Sequence, residues 1–171
     1  MATNAVYEKR GTALVFTEGA VGDKALIAND TDLAQVAGTL SAFYDRGAGA
    51  APGEYEVRAY GKWEATVTIN EYFSVYLCQS DGTHTDGGAA YHADNPAAIT
   101  LARCGELFFI GHVKASVADT AEHGSTFRVR ITSRYFAIAV YNASALKDLL
   151  FAASQSAVVV TPVFPDIQAA A

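Results

Sequence analysis

The residues most suited to chemistry in this 171-residue chain crowd into one stretch, Asp81–Ala98 (DGTHTDGGAAYHADNPAA). Asp81, His84, Asp86, His92 and Asp94 lie there, and His-x-Asp occurs twice, at His84/Asp86 and His92/Asp94. Imidazole and carboxylate together suit a zinc or manganese ion. The spacing fits no established metal signature, and loops rich in Asp, Gly, Thr and His are common because they are well solvated. The expectation is therefore a surface loop that binds no metal. Its length is of the kind kept for function or contacts.

Other arrangements carry less. Gly47, Gly49 and Gly53 make no phosphate cradle, because neither a Lys-Ser/Thr pair nor a helix follows them. Glu54, Glu56 and Glu64 could pair as glycosidase carboxylates, but they fall on the solvated register of one strand. His112 and His123 are isolated in sequence and read as packed or surface histidines. Ser154–Ser156 lacks the nucleophile elbow of a hydrolase. Cys78 and Cys104 lie in or beside apolar runs without a nucleophile's partners, and read as reduced structural thiols. The expectation is no catalytic residue, no cofactor and no enzyme.

The elements around these residues alternate with a period of two. From Glu54 to Thr68, Tyr55, Val57, Ala59, Trp63, Ala65 and Val67 are apolar while the even positions are mostly polar. Gly61 interrupts the run where a bulge or a close backbone approach is expected. Tyr72–Ser80 is a strand with Phe73, Val75 and Leu77 inward. Ser125–Thr132 alternates, whereas Ser133–Asn142 is apolar in both registers and needs cover on both faces, from its own chain or another subunit. Further strands are expected at Gly11–Thr17, Gly38–Arg46, Gly105–Val117 and Ala157–Phe164. Two short helices are possible: one capped by Asp30 or Thr31 and carrying Leu33, Val36 and Ala37, the other starting at Asn142 with Leu146, Leu149 and Leu150 at helical spacing. Pro162 and Pro165 are expected to push the tail off the sheet at an edge.

The result is an all-β fold, an antiparallel β-sandwich of about eight strands, with a jelly roll favoured over an immunoglobulin-like order. Its expected boundaries are an N-terminal arm at 1–12, one sandwich domain at 13–164 and a C-terminal tail at 165–171. A net charge of −6 and scattered Lys and Arg argue against nucleic acid and anionic membrane as partners. No segment approaches the roughly 18 apolar residues of a membrane-spanning helix, and the opening residues do not read as a signal peptide. Nine Phe and nine Tyr exceed what one inner face needs. That surplus points to protein contacts, where tyrosine is favoured.

Five segments, ATNAVYEKRGTALVF at the start, FYDRGAGA (Phe43–Ala50), VYLCQSDGTHTDG (Val75–Gly87), the Arg134–Tyr135 strand to VYNASA (Val140–Ala145), and TPVFPDIQ (Thr161–Gln168), together resemble small virion structural proteins of tailed bacteriophages, associated with the head. The resemblance implies a capsid decoration, or cement, protein, made in the host cytoplasm and carried on the capsid surface. Its partner would be the major capsid protein. Lattice symmetry would favour a homo-oligomer, a trimer before a dimer. Val6, Tyr7, Lys9 and Arg10 of the arm, with Phe164 and Ile167 of the tail, are the expected capsid and subunit contacts. A tail or neck component and a carbohydrate-binding sandwich are the alternatives.

Overall fold

The computed structural model describes residues 5–19, 24–48, 53–80 and 97–168, with the backbone path alone at 5–7 and 165–168. It is a two-sheet β-sandwich. The first sheet contains β1 (Ala5–Arg10), β2 (Leu14–Glu18), β3 (Ala25–Ile27), β6 (Gly53–Trp63), β10 (His123–Ile131), β12 (Leu149–Leu150) and β13 (Ala157–Gln168). The second contains β4 (Ala37–Leu40), β5 (Tyr44–Asp45), β7 (Tyr72–Ser80), β8 (Ala97–Ile99), β9 (Phe108–Lys114) and β11 (Tyr135–Asn142). Their orders are β10-β6-β13-β2-β3 and β8-β4-β11-β7-β9, and every pairing is antiparallel except β2 with β3. One helical turn, α1 (Leu101–Cys104), is capped by Thr100, whose hydroxyl accepts from the Arg103 amide.

The alternation read in β6 and β7 sets the core. Tyr55, Val57, Ala59 and Trp63 face Phe73, Val75 and Leu77, joined by Phe136, Ile138 and Val140 of β11. Each Val, Leu, Ile or Phe side chain among them withdrawn from water is worth about 1.5–3 kcal/mol. Gly61 is a close approach, not a bulge: a Cβ there would lie 2.8 Å from the Phe73 ring and 2.9 Å from Leu149. The second register of β11 is covered by its own chain. Ala137, Ala139 and Tyr141 pack with Leu40, Phe43, Tyr76, Cys78, Ile99 and Cys104 in a second apolar cluster outside the second sheet, capped by α1.

Neither expected helix around Leu33 or after Asn142 forms. Leu33 and Leu149 exchange backbone hydrogen bonds, 2.9 Å each way, so both segments are spent on long-range pairing. Asp32 strengthens this by accepting from the Phe151 and Ala152 amides at 2.8 and 3.1 Å. After Asn142, the Asn142 and Ser144 side chains bond to nearby backbone amides, an alternative that competes with helix. Only a 3₁₀ turn at Ala152–Ser154 follows.

Candidate functional site

The two terminal segments form one structure. β1 pairs with the end of β13 in the register Val6↔Ile167, Tyr7↔Asp166, Glu8↔Pro165, Lys9↔Phe164 and Arg10↔Val163. The expected departure of the tail at Pro162 does not occur; β13 runs on to Gln168. The reason is local. Arg10 pairs with Val163 and Leu14 with Val160, so Gly11–Ala13 bulge opposite two β13 residues. The Gly11 amide donates to the Pro162 carbonyl at 2.9 Å, which puts the missing amide of Pro162 on the bulged side, where no acceptor is deprived. By the same alternation, the amide position of Pro165 faces away from β1, beyond the start of β6.

Charges on the outer face lash this ribbon down. Arg10 donates to Glu56 of β6 at 2.7 Å, and Arg128 of β10 donates to both oxygens of Glu8 at 2.6 Å. The Arg128 hydrogen bond holds the Glu8 carboxyl below its ordinary range. Of the expected contact residues, Lys9 and Arg10 are exposed and Phe164 is half-exposed; Val6, Tyr7 and Ile167 are placed by backbone register only. All six therefore lie on one two-stranded ribbon.

At the base of the ribbon is a cleft of about 560 Å³ lined by Gly11, Thr12, Leu14, Lys24, Tyr44, Arg46, Tyr55, Pro162 and Phe164. Arg46 is fixed in it. Its Nε donates to the Tyr55 hydroxyl at 2.9 Å, and Nη1 donates to the carbonyls of Ser133 and Ile131 at 2.8 and 3.3 Å.

A second surface lies outside the second sheet. Tyr72, Ser74 and Tyr76 of β7, His112 of β9 and Tyr141 of β11 line a smaller cleft of about 240 Å³ with Val36, Leu101 and Ala143. The Phe109 ring packs, tilted, against both Tyr76 and His112, at centroid distances of 5.5 and 4.7 Å. Val36, Leu101 and Phe109 are each between 45 and 58% exposed, so this region is an apolar, aromatic patch; Phe108, the register partner of inward Leu77, lies on the opposite face of β9. Ser74 and His112 are register partners, with Oγ 2.9 Å from Nδ1. Burial, then Lys114, pushes the His112 pKa down. Ser74 is buried, and the pair joins β7 to β9 across their ladder.

The other sequence candidates are dispersed. Asp81, His84, Asp86, His92 and Asp94 lie outside the described residues. Among the described residues, no group of three or more His, Cys, Asp or Glu could hold a metal ion. Glu56 pairs with Arg10, while Glu54 and Glu64 are exposed. Cys78 and Cys104 are free and buried in the outer cluster, and burial raises each thiol to about 11. Trp63 is buried, with its indole N–H on Asn142. The sequence reading missed the patch as a place, although the tyrosine surplus was its signal. No protein-family model matches the chain, and no curated protein matches it.

Proposed function

We propose that this chain is a bacteriophage virion structural protein, a head decoration or cement protein that acts by surface contact. The observation that carries this reading is the exposed Val36–Leu101–Phe109 patch around the tyrosine cleft. Contiguous exposed apolar surface of this kind marks protein-contact sites. The resemblance of five segments to phage head proteins supplies the identity of the partner, the major capsid protein. The terminal ribbon supplies a second contact, through Lys9, Arg10 and Phe164. Bridging adjacent capsomers through two surfaces multiplies weak contacts, and a homotrimer on a three-fold lattice site is the assembly favoured here. A carbohydrate-binding role would call for an exposed Trp or Tyr beside carboxylates, and Trp63 points inward.

The test is co-sedimentation with undecorated phage heads. Saturable binding of the wild-type chain, lost in Leu101→Ser/Phe109→Ser, supports the reading. A chain that ignores heads but binds isolated tails or necks moves it to those positions, and one that binds neither overturns it. Removing residues 1–10 is a poor probe, because it strips β1 from β13 together with two ion pairs.

A further inference from the structure

Val36 is held in a conformation that its own side chain disfavours. Its φ is 51°, in the left-handed region, where a β-branched residue is an outlier. Two hydrogen bonds fix the backbone there. The Val36 amide donates to the Ser144 carbonyl at 3.1 Å, and the Tyr141 hydroxyl donates to the Val36 carbonyl at 3.1 Å. Glycine would take up the same backbone without the Cβ clash. The valine instead stands 58% exposed at the rim of the tyrosine cleft. Backbone strain kept for an exposed apolar side chain is a mark of function rather than of folding.

The cleft beside it is a preformed ladder of rings. Tyr72, Ser74 and Tyr76 of β7 stand opposite Lys114, His112 and Phe109 of β9. The rings of Tyr72, His112, Phe109 and Tyr76 follow one another at centroid distances of 4.6, 4.7 and 5.5 Å. Burial, then Lys114, keeps His112 uncharged at neutral pH, so no described lining residue carries a charge. Lys114 marks one end of the ladder. It is exposed, and among the described residues it has no ion-pair partner. The Tyr72 hydroxyl likewise makes no hydrogen bond among the described residues, which leaves a donor beside the rings.

We infer that this cleft binds an extended, proline-rich segment of the partner protein in the polyproline II conformation, with Val36 against one side and a carboxylate of the segment on Lys114. The inference rests on the reading of the patch as a contact surface and names the chemistry of what enters it. Charge complementarity sets the ends of the occupant: an uncharged run over the rings and an acidic residue at the free cation. Proline suits the run. Its ring packs on aromatic faces, its carbonyls accept from Tyr72, and it brings no amide for an apolar cleft to leave unsatisfied. From Tyr72 to Tyr76 the ladder is about 13 Å long, which about four residues of polyproline II cover at about 3.1 Å each.

The probe is a fluorescein-labelled peptide, a short run of prolines flanked by glutamates, titrated by anisotropy with the full chain. One control replaces the prolines by glycines, and the other replaces the glutamates by glutamines. Saturable binding of the proline–Glu peptide is expected, at least about tenfold tighter than the glycine control and about threefold tighter than the Gln control. Lys114→Glu, an exposed substitution, should weaken the proline–Glu peptide by at least about tenfold and spare the Gln control. Val36→Gly should weaken the peptide by at least about fivefold while its thermal midpoint stays at or above that of wild type, because the strain is gone. A valine with only a structural role would show the reverse. Equal binding of proline and glycine peptides, no binding of any, or unchanged binding in Val36→Gly overturns the inference.

Head co-sedimentation separates the two readings. A wild-type chain that binds the proline–Glu peptide selectively but ignores heads keeps the cleft assignment and removes the capsid as its partner. A chain that binds heads saturably but fails the peptide assays loses the cleft assignment alone.

Discussion

Both carboxylate oxygens of Glu8 accept from Arg128, 2.6 Å each, across a sequence separation of 120 residues. Glu8 is on β1 and Arg128 on β10, so this bidentate pair ties the terminal ribbon to the far side of the first sheet. Arg10 and Glu56 make the parallel tie to β6.

The pair makes the ribbon acid-sensitive. Arg128 holds the Glu8 carboxyl below its ordinary value of 4.5. A depressed carboxylate pKa stabilises the folded state above the unfolded value, and that stabilisation is lost as pH falls through the folded one. Hydrogen exchange of the Glu8, Lys9 and Arg10 amides is therefore expected to accelerate, relative to the β6 amides, as pH drops below about 4.5. Arg128→Gln should show the faster exchange already at neutral pH. Identical relative protection in wild type and Arg128→Gln would mean that backbone pairing alone holds the ribbon.

Asn142 is fully buried and saturated. Its Oδ1 accepts from the Trp63 indole at 3.3 Å and the Ser144 amide at 3.2 Å. Its Nδ2 donates to the carbonyls of Lys147, Leu33 and Ala34 at 2.9, 3.2 and 3.2 Å. Asn142→Ala removes all five partners at once and leaves the Trp63 N–H buried and orphaned. A loss of about 3 kcal/mol or more is expected by urea unfolding. Trp63→Phe, which removes that donor, should recover part of the loss in the double variant. Strictly additive losses would show that the two side chains do not act together.

Gly61 tests the sandwich interior. Its missing Cβ leaves room for Phe73, Leu149 and the Ser156 hydroxyl, all within 3.0 Å of where a methyl would sit. Gly61→Ala should therefore cost about 1–3 kcal/mol, although alanine is the smaller conformational burden in a strand. Phe73→Leu in the same chain should relieve some of it. A Gly61→Ala variant as stable as wild type would show that the two sheets can separate slightly without loss.

The parts of this fold legible in sequence are those whose burial follows a local period. β7 is read at its observed limits, Tyr72–Ser80, and the inward register of β6 and β7 is the observed core. The double-sided burial of β11 is legible for the same reason, since no solvated face tolerates Phe136, Ile138 and Val140 opposite Ala137, Ala139 and Tyr141. The segment after Asn142 is not legible. Leu146, Leu149 and Leu150 have helical spacing, yet Leu146 is 64% exposed while Leu149 is fully buried beside Trp63. What decides there is a pairing with Leu33, more than a hundred residues away. The ribbon was hidden likewise: polar residues at 1–10 and two prolines look like loose ends until their register across one another is known. The candidate contacts on it were identified singly, and only the pairing of Lys9 with Phe164 makes them one surface.

Cys78 and Cys104 provide an alkaline test of the outer cluster. Burial raises both thiols from 9.0 to about 11, so the folded chain holds these protons more tightly than the unfolded chain. A raised pKa means full stabilisation below about 9 and its loss as pH rises through about 11. Each thiol should contribute about 2 kcal/mol of that loss by the upper end of the window. Tyr76 and Tyr141, raised chiefly by burial in the same cluster, act in the same direction. Cys78→Ala/Cys104→Ala should therefore unfold with a shallower pH dependence between these limits without abolishing it, whatever its stability at pH 7. Iodoacetamide at pH 8 should leave both native thiols unmodified and label both in denaturant. Rapid native labelling of either thiol, or an unchanged pH slope in the double variant, would show that the outer cluster opens to solvent where the packing of Cys104, at the end of α1, against β11 and β4 keeps it closed.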